Sequence, residues 1–211
     1  MSPAYEYPRL PLFPMFFLLE GKTCLVVGAG AVGQEKIQGL LASGACVRVI
    51  APEATPLIQR LARAKKVEWR ARRFQVRDLK GSFLVIAATS VTELNETIWR
   101  AAQRNGVLCN VVDDPPHCDF FYPAVVRRGA LQIAVSTGGR SPALAQQVRK
   151  DIERHFGPEY SEWVGELGRA RRRSRVAVRD IARRRDLAHE MVRRGYQAIS
   201  GRKRSRGGIE N

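Results

Sequence analysis

Cys24-Leu-Val-Val-Gly-Ala-Gly-Ala-Val-Gly33 runs an apolar strand into glycines at 28, 30 and 33, with a helical pattern from Gln34 to Leu41 behind them. Gly28 permits a tight turn, Gly30 lets the backbone approach a pyrophosphate, and Gly33 lets the helix pack closely on the strand. The free N–H groups at the helix start then point at phosphates. Glu53 stands 20 residues beyond Gly33, after the second apolar strand Cys46–Ala51. An acidic side chain there accepts hydrogen bonds from an adenosine ribose, and a 2′-phosphate would meet a like charge, which favours NAD over NADP. Three glycines alone are a weak signal, shared by turns that bind no cofactor. The strand, helix and acid together make the dinucleotide-binding reading specific.

Outward from this turn, strand patterns at 23–27, 46–51, 67–69, 83–88 and 107–112 alternate with helical patterns at 33–42, 55–64 and 93–103. Such alternation predicts an α/β fold, a Rossmann-type parallel sheet covered on both faces. Past Val112 the pattern changes. Phe121–Val126, a turn at Arg127-Arg-Gly129 and Leu131–Ser136 read as a small antiparallel hairpin. Ser141 and Pro142 then start a helix whose Leu144, Val148, Ile152 and Phe156 form a stripe at steps of four. Gly157-Pro158 breaks it, and Tyr160, Trp163, Val164 and Leu167 begin a further amphipathic set. The expected division is 1–120 for the dinucleotide-binding domain, 121–150 for the hairpin segment, and 151–211 for a helical C-terminal domain ending in a disordered basic tail from Gly201.

A chain of 211 residues carries one full core and a smaller accessory. Its net charge of +16 is densest near the C-terminus, where Lys and Arg outnumber Asp and Glu by 15 to 7 over residues 156–211. That balance suits an anionic partner: nucleic acid, a membrane surface or a polycarboxylate small molecule. Cysteines at 24, 46, 109 and 118 contain no Cys-x-x-Cys pair, and the first three read as small buried hydrophobes of a reducing compartment. The apolar run Met15–Leu19 is too short to span a membrane, and Pro3, Pro8, Pro11 and Pro14 interrupt any secretory pattern. The expectation is a cytoplasmic protein with no membrane partner.

Chemistry gathers at two further places. Asn110-Val-Val-Asp113-Asp114-Pro-Pro116 leaves the carboxyl end of the last sheet strand, the edge where such sheets hold ligands. Asp113, first off the strand, is the candidate general base, although Asp before Pro is also ordinary turn chemistry. Ser136-Thr137-Gly138-Gly139-Arg140-Ser141 is rich in donors suited to carboxylates, and is equally a plain strand-to-helix connection. His117, Cys118 and Asp119 lack the spaced pairs of a metal site, so no metal ligands are assigned. The Arg runs at 171–173 and 183–185 have no aromatic platform beside them, which argues for a solvated helix face over a nucleic-acid site.

Four blocks together resemble the precorrin-2 dehydrogenase / sirohydrochlorin ferrochelatase family, which includes the N-terminal module of siroheme synthases. They are Pro11–Lys22, Val26–Gly33 with Lys36, Cys109–Asp113, and Cys118–Phe120 through Pro123-Ala124 to Ile133–Ala143. The resemblance implies an NAD-dependent oxidation of precorrin-2 to sirohydrochlorin, and in some members insertion of ferrous or cobalt ion. It further implies a homodimer built on the hairpin. By position it places Ala31, Val32, Pro52 and Glu53 at NAD, Asp113 at catalysis and Thr137 in the tetrapyrrole loop. Arg127, Arg128 and Arg140 would attract the substrate's carboxylates. Two rival readings stay open: a bifunctional dehydrogenase and chelatase, and an NAD-binding regulatory module whose basic tail contacts nucleic acid.

Overall fold

The computed structural model describes residues 11–206. Its elements divide into two compact units. The first holds the described residues up to Tyr122 together with Gly138–Arg140, and the second holds Pro123–Thr137 and the described residues from Ser141 onward.

In the first unit, strands β1 (Thr23–Val27), β2 (Cys46–Ile50), β3 (Val67–Arg70), β4 (Leu84–Ala87) and β5 (Leu108–Val111) form one parallel sheet in the order β3-β2-β1-β4-β5. Helices α1 (Ala31–Ala42), α2 (Pro56–Arg63) and α3 (Thr92–Arg104) connect them. The central strands β1 and β4, covered on both faces, are apolar on both sides and read as nearly unbroken runs, whereas β2 and the edge strand β3 carry Arg48, Glu68 and Arg70. Cys24, Val26, Leu84 and Ile86 pack with Ile37 and Leu40 of α1 and Ile58 of α2. Leu25, Val27, Val85 and Ala87 face the other way, onto Ile98, Ala101 and Ala102 of α3. Leu25, Ile37, Ile50, Ile58, Ile86 and Ile98 are fully buried. Each contributes about 1.5–3 kcal/mol on leaving water, so this core and not any single polar contact carries the sheet.

A buried carboxylate pins the return from β3 to β4. Asp78, in a 3-10 turn at Val76–Leu79, accepts from both terminal nitrogens of Arg72 at 2.6 and 2.8 Å and from the Gln75 amide at 2.9 Å. Arg70 adds a contact at 3.4 Å. These donors, Arg72 first, hold the Asp78 carboxyl below its ordinary range against the opposing effect of burial. A bidentate guanidinium and a backbone donor satisfy an anion that would otherwise be costly to bury.

In the second unit, β6 (Ala124–Arg128) and β7 (Leu131–Val135) pair antiparallel, and α4 (Pro142–His155) packs on both. The turn is Gly129-Ala130 rather than Arg127–Gly129, with Gly129 at φ 58°, and β6 begins only after Pro123, which has no amide proton to give a ladder. Helices α5 (Glu159–Ala177) and α6 (Ile181–Arg206) pack on each other. Tyr160 is buried among Phe156 and Trp163, and Trp163 meets Tyr196 of α6.

Three further expectations differ from the structure. Leu144 is 54% exposed and Ala145 is the buried residue of α4's first turn, because steps of four overshoot a 3.6-residue turn by about 40° each and the stripe spirals off the face. Cys46 is exposed at the start of β2, while Cys24 and Cys109 are buried as expected. Helical backbone continues through Arg206, past the Gly201 at which disorder was expected. The rest of that tail, and the Pro3 and Pro8 of the N-terminal reading, lie outside the described residues.

Asp78→Asn should lower stability at pH 7 by about 3 kcal/mol in a denaturant melt, since the arginines lose their buried counter-charge. A carboxylate with a depressed folded pKa stabilises above its unfolded value near 3.9 and loses that contribution as pH falls through the folded value. The wild type should therefore lose its advantage over Asp78→Asn below about pH 4.

Candidate dinucleotide site at the carboxyl edge of the sheet

Strands β1 and β4 are neighbours, although β2, α2 and β3 lie between them in sequence, so the connections diverge at their carboxyl ends. Such a switch point opens a crevice for a ligand.

The glycine turn fills the floor of that edge. Gly28 sits at φ 100°, and a Cβ on it would lie 2.2 Å from the Ala88 carbonyl oxygen. A Cβ on Gly33 would lie 2.3 Å from the Gly28 carbonyl oxygen. Both glycines are therefore required by the protein's own packing. Gly30 is different: its φ is −73° and an added Cβ meets nothing within 4 Å. Neither backbone nor packing demands glycine there, and the space over it is open. Gly30 is also the N-cap of α1 and brings no side-chain cap, while Ala31 and Val32 are exposed. Uncapped N–H groups with the positive end of a helix dipole behind them fit a pyrophosphate.

Pro52 and Glu53 follow β2 and are exposed at the same edge. The loop that carries them is tied to the glycine turn by the Thr55 amide, which donates to the Ala29 carbonyl at 3.1 Å, and by a 2.7 Å bond between Thr55 Oγ1 and Gln34 Oε1. At the end of β4, buried Asn95 donates to the Thr89 carbonyl at 3.0 Å and shares a 2.7 Å bond with its hydroxyl. Gln34, Thr55, Thr89 and Asn95 were not singled out from sequence. The pair Thr89-Ser90 directly after an apolar strand was the available signal.

Asp113 emerges from β5 at the same edge. It is exposed and sits at φ 60°, a left-handed conformation that costs a residue with a Cβ about 1–2 kcal/mol. The Asp114 amide closes the turn on the Val111 carbonyl at 3.2 Å. Asp114 is half-buried, and its Oδ2 lies 2.7 Å from His117 Nδ1. Cys118 Sγ donates to the carbonyls of Val111 and Asp114, and burial pushes its thiol up to about 11, so the donating proton stays. Asp119 accepts from Gln103 and from the Cys109 amide. His117, Cys118 and Asp119 thus face three different sets of partners. Among the described residues no cluster of three such side chains has the geometry to hold a metal.

Lys36 places its ammonium 4.5 Å from the Tyr122 ring centre, and burial raises the Tyr122 phenol above its ordinary value. In the second unit, the Thr137 hydroxyl oxygen accepts from the Ser141 amide at 3.0 Å and Ser141 Oγ caps Leu144 at 3.2 Å. Gly138 and Gly139 take φ of 63° and 82°, the left-handed turn that glycine permits. Ser136 and Arg140 are exposed. Arg128 is committed elsewhere: its Nε donates to the Phe156 carbonyl at the end of α4 at 2.8 Å, while Arg127 is exposed.

A parallel sheet with this strand order and this glycine turn defines a dinucleotide-binding domain of the Rossmann type. The family model for putative NAD(P)-binding proteins matches residues 15–124, and that for the central part of sirohaem biosynthesis proteins matches residues 128–155. The chain belongs to this NAD(P)-binding family and carries the sirohaem-biosynthesis central segment behind it, which bears out the family resemblance read from the four sequence blocks. It is 34% identical over 172 residues to siroheme synthase 1 of Serratia proteamaculans (strain 568), covering 82% of this chain and 36% of that protein. Identity with siroheme synthase of Neisseria meningitidis serogroup C is 38% over 187 residues, or 89% and 39% of the two chains. The chain therefore spans little more than a third of the length of these relatives. Among solved structures, SirC, a precorrin-2 dehydrogenase, superimposes with a TM-score of 0.76 at 24% identity over 86% of this chain and 89% of that one. The α/β sheet, small antiparallel hairpin and helical C-terminal part are the fold that the sequence predicts.

Gly30→Ala should leave stability within about 1 kcal/mol of wild type, the scale of changing an N-cap residue, since its Cβ meets no protein atom within 4 Å, while NAD affinity falls at least about tenfold. Gly28→Ala, by contrast, should unfold at lower temperature with or without cofactor.

Proposed function

We propose that this chain is a dehydrogenase that oxidises precorrin-2 to sirohydrochlorin with NAD. The observation that carries the reading is the common carboxyl edge of β1, β2 and β5, which presents a glycine with open space above it, an exposed Glu53 and a strained Asp113. Support also comes from the sirohaem-biosynthesis segment at 128–155 and from the names of the similar proteins.

Gly28, Gly30, Ala31, Val32 and Gly33 would hold the pyrophosphate on backbone N–H groups, with Pro52 and Glu53 at the adenosine ribose. When bound, NAD supplies the acceptor for a hydride. Precorrin-2 loses two hydrogens on oxidation, one with its electron pair and one as a proton. Asp113 accepts that proton on its carboxylate, directly or through a water. The donors of Ser136, Thr137, Gly138, Gly139, Arg140 and Ser141 suit the substrate's carboxylates. A homodimer would form on the two-stranded sheet, whose outer edges have no partner strand among the described residues.

Anaerobic incubation with precorrin-2 and NAD, followed by sirohydrochlorin absorbance, tests the activity; no absorbance change at saturating NAD would refute it. Asp113→Asn, which relaxes the left-handed backbone, should keep NAD affinity and stability while turnover falls about 10²–10⁴-fold. Wild-type turnover in that variant would remove Asp113 from the mechanism. By calorimetry NADP should bind more weakly than NAD by about 1–4 kcal/mol, the range between bulk water and a protein surface for two like charges about 4 Å apart. Glu53→Ala should narrow that gap.

A further inference from the structure

Beyond the residues proposed to touch cofactor or substrate, one cluster in the first unit stands out. We propose that His117 is a positioning residue that holds the turn carrying Asp113, acting through Asp114 and through a seat on Trp99 of α3. The inference rests on the reading of Asp113 as proton acceptor, and adds to it the means by which a strained backbone is kept in place.

Asp113 is the third residue of a four-residue turn, closed by the Asp114 amide on the Val111 carbonyl at 3.2 Å. Turns with positive φ at that position are populated by glycine and asparagine, because a Cβ there crowds the backbone. The turn therefore needs a restraint from outside itself. On its upstream side it has the sheet, since the Val112 amide still donates to the Ala87 carbonyl of β4 at 3.0 Å. On its downstream side Cys118 Sγ reaches the Val111 and Asp114 carbonyls, and the Asp114 carboxylate lies 2.7 Å from His117 Nδ1. The imidazole is itself held: its ring centre lies 4.4 Å from that of Trp99, and its backbone amide donates to the Asp114 carbonyl at 3.0 Å. Asp114 and His117 thus meet twice, by side chain and by backbone, and Trp99 connects both to a helix anchored in the core by Ile98, Ala101 and Ala102. A side-chain clamp three residues long, braced on a buried helix, stops the turn from relaxing to negative φ.

The test compares three variants by steady-state kinetics and by hydrogen exchange at the Asp114 amide, which reports the turn without any cofactor or substrate. His117→Phe keeps a ring on Trp99 and removes the donor to Asp114. His117→Ala removes both, and His117→Asn restores a donor close to the place of Nδ1. The clamp predicts that His117→Phe and His117→Ala lower kcat about 10–100-fold, the scale of a modest misplacement of a reacting group. KM for precorrin-2 and Kd for NAD stay within about twofold, because a residue acting only on Asp113 removes no ground-state binding. Exchange at Asp114 should speed up about tenfold or more, and His117→Asn should recover most of both effects. Wild-type kcat and wild-type exchange in His117→Phe would overturn the proposal, as would an equal loss in His117→Asn and His117→Ala. If the wild-type protein does not oxidise precorrin-2, the dehydrogenase reading fails by itself. Faster exchange in His117→Phe then still upholds the clamp, and unchanged exchange still overturns it.

Discussion

A distance of 2.2 Å, from the place where a Cβ of Gly28 would sit to the Ala88 carbonyl oxygen, sets the geometry on which the first unit depends. Only hydrogen fits there. The end of β1 can therefore lie against the end of β4, and α1 can start directly over both, because Gly33 leaves room for the Gly28 carbonyl in the same way. With any side chain at either position the helix would have to lift from the sheet. Ile37 and Leu40 would then leave the core that they share with Cys24, Val26 and Ile86. The stability of several fully buried side chains, about 1.5–3 kcal/mol each, is thus tied to two hydrogens.

The same packing creates the functional edge. All five strands run parallel, so all their carboxyl ends emerge on one side, and the glycine turn, Glu53, Thr89 and Asp113 each lie within three residues of a strand's end. Hydrogen bonds then fix loops that periodicity leaves undetermined. Thr55 and Gln34 tie the β2 exit to the glycine turn, Asn95 ties the β4 exit to α3, and Asp119 and Asn110 fold the chain after β5 back along that strand. The edge is hydrogen-bonded where it meets the sheet and exposed at Gly30, Ala31, Val32, Pro52 and Glu53. A site built for an extended, anionic ligand needs that combination: fixed donors that lose little entropy on binding, and no side chain in the way.

Charge is distributed with a comparable division of labour. Arg48, Arg70 and Arg72 are spent on Glu68 and Asp78, and Arg128 and Arg149 on the end of α4 and on Glu153. Structural pairing consumes those cations, whereas Arg127 and Arg140 and most arginines of α5 are exposed. The net charge of +16 accordingly describes a field felt by an approaching anion more than a set of contacts.

By itself the sequence determined the alternation of strands and helices, the glycine turn with its helix, the Ser141-Pro142 helix start and the placing of Asp113 just past β5. Each rests on residues within a few positions of one another: apolar period, a glycine spacing, a cap. Tertiary structure alone decided the rest. The order β3-β2-β1-β4-β5 depends on which strands meet, and burial of Asp78 depends on Arg72 folding back over its own loop. Asp before Pro was legible in sequence as turn chemistry, but the left-handed backbone of Asp113 and the contact of His117 with Trp99 of α3 depend on how β5 and α3 come together. Cys46 and Leu144 show the converse. Each sits in a locally apolar pattern, yet is exposed, because a pattern states that a face is apolar and only packing states where that face ends.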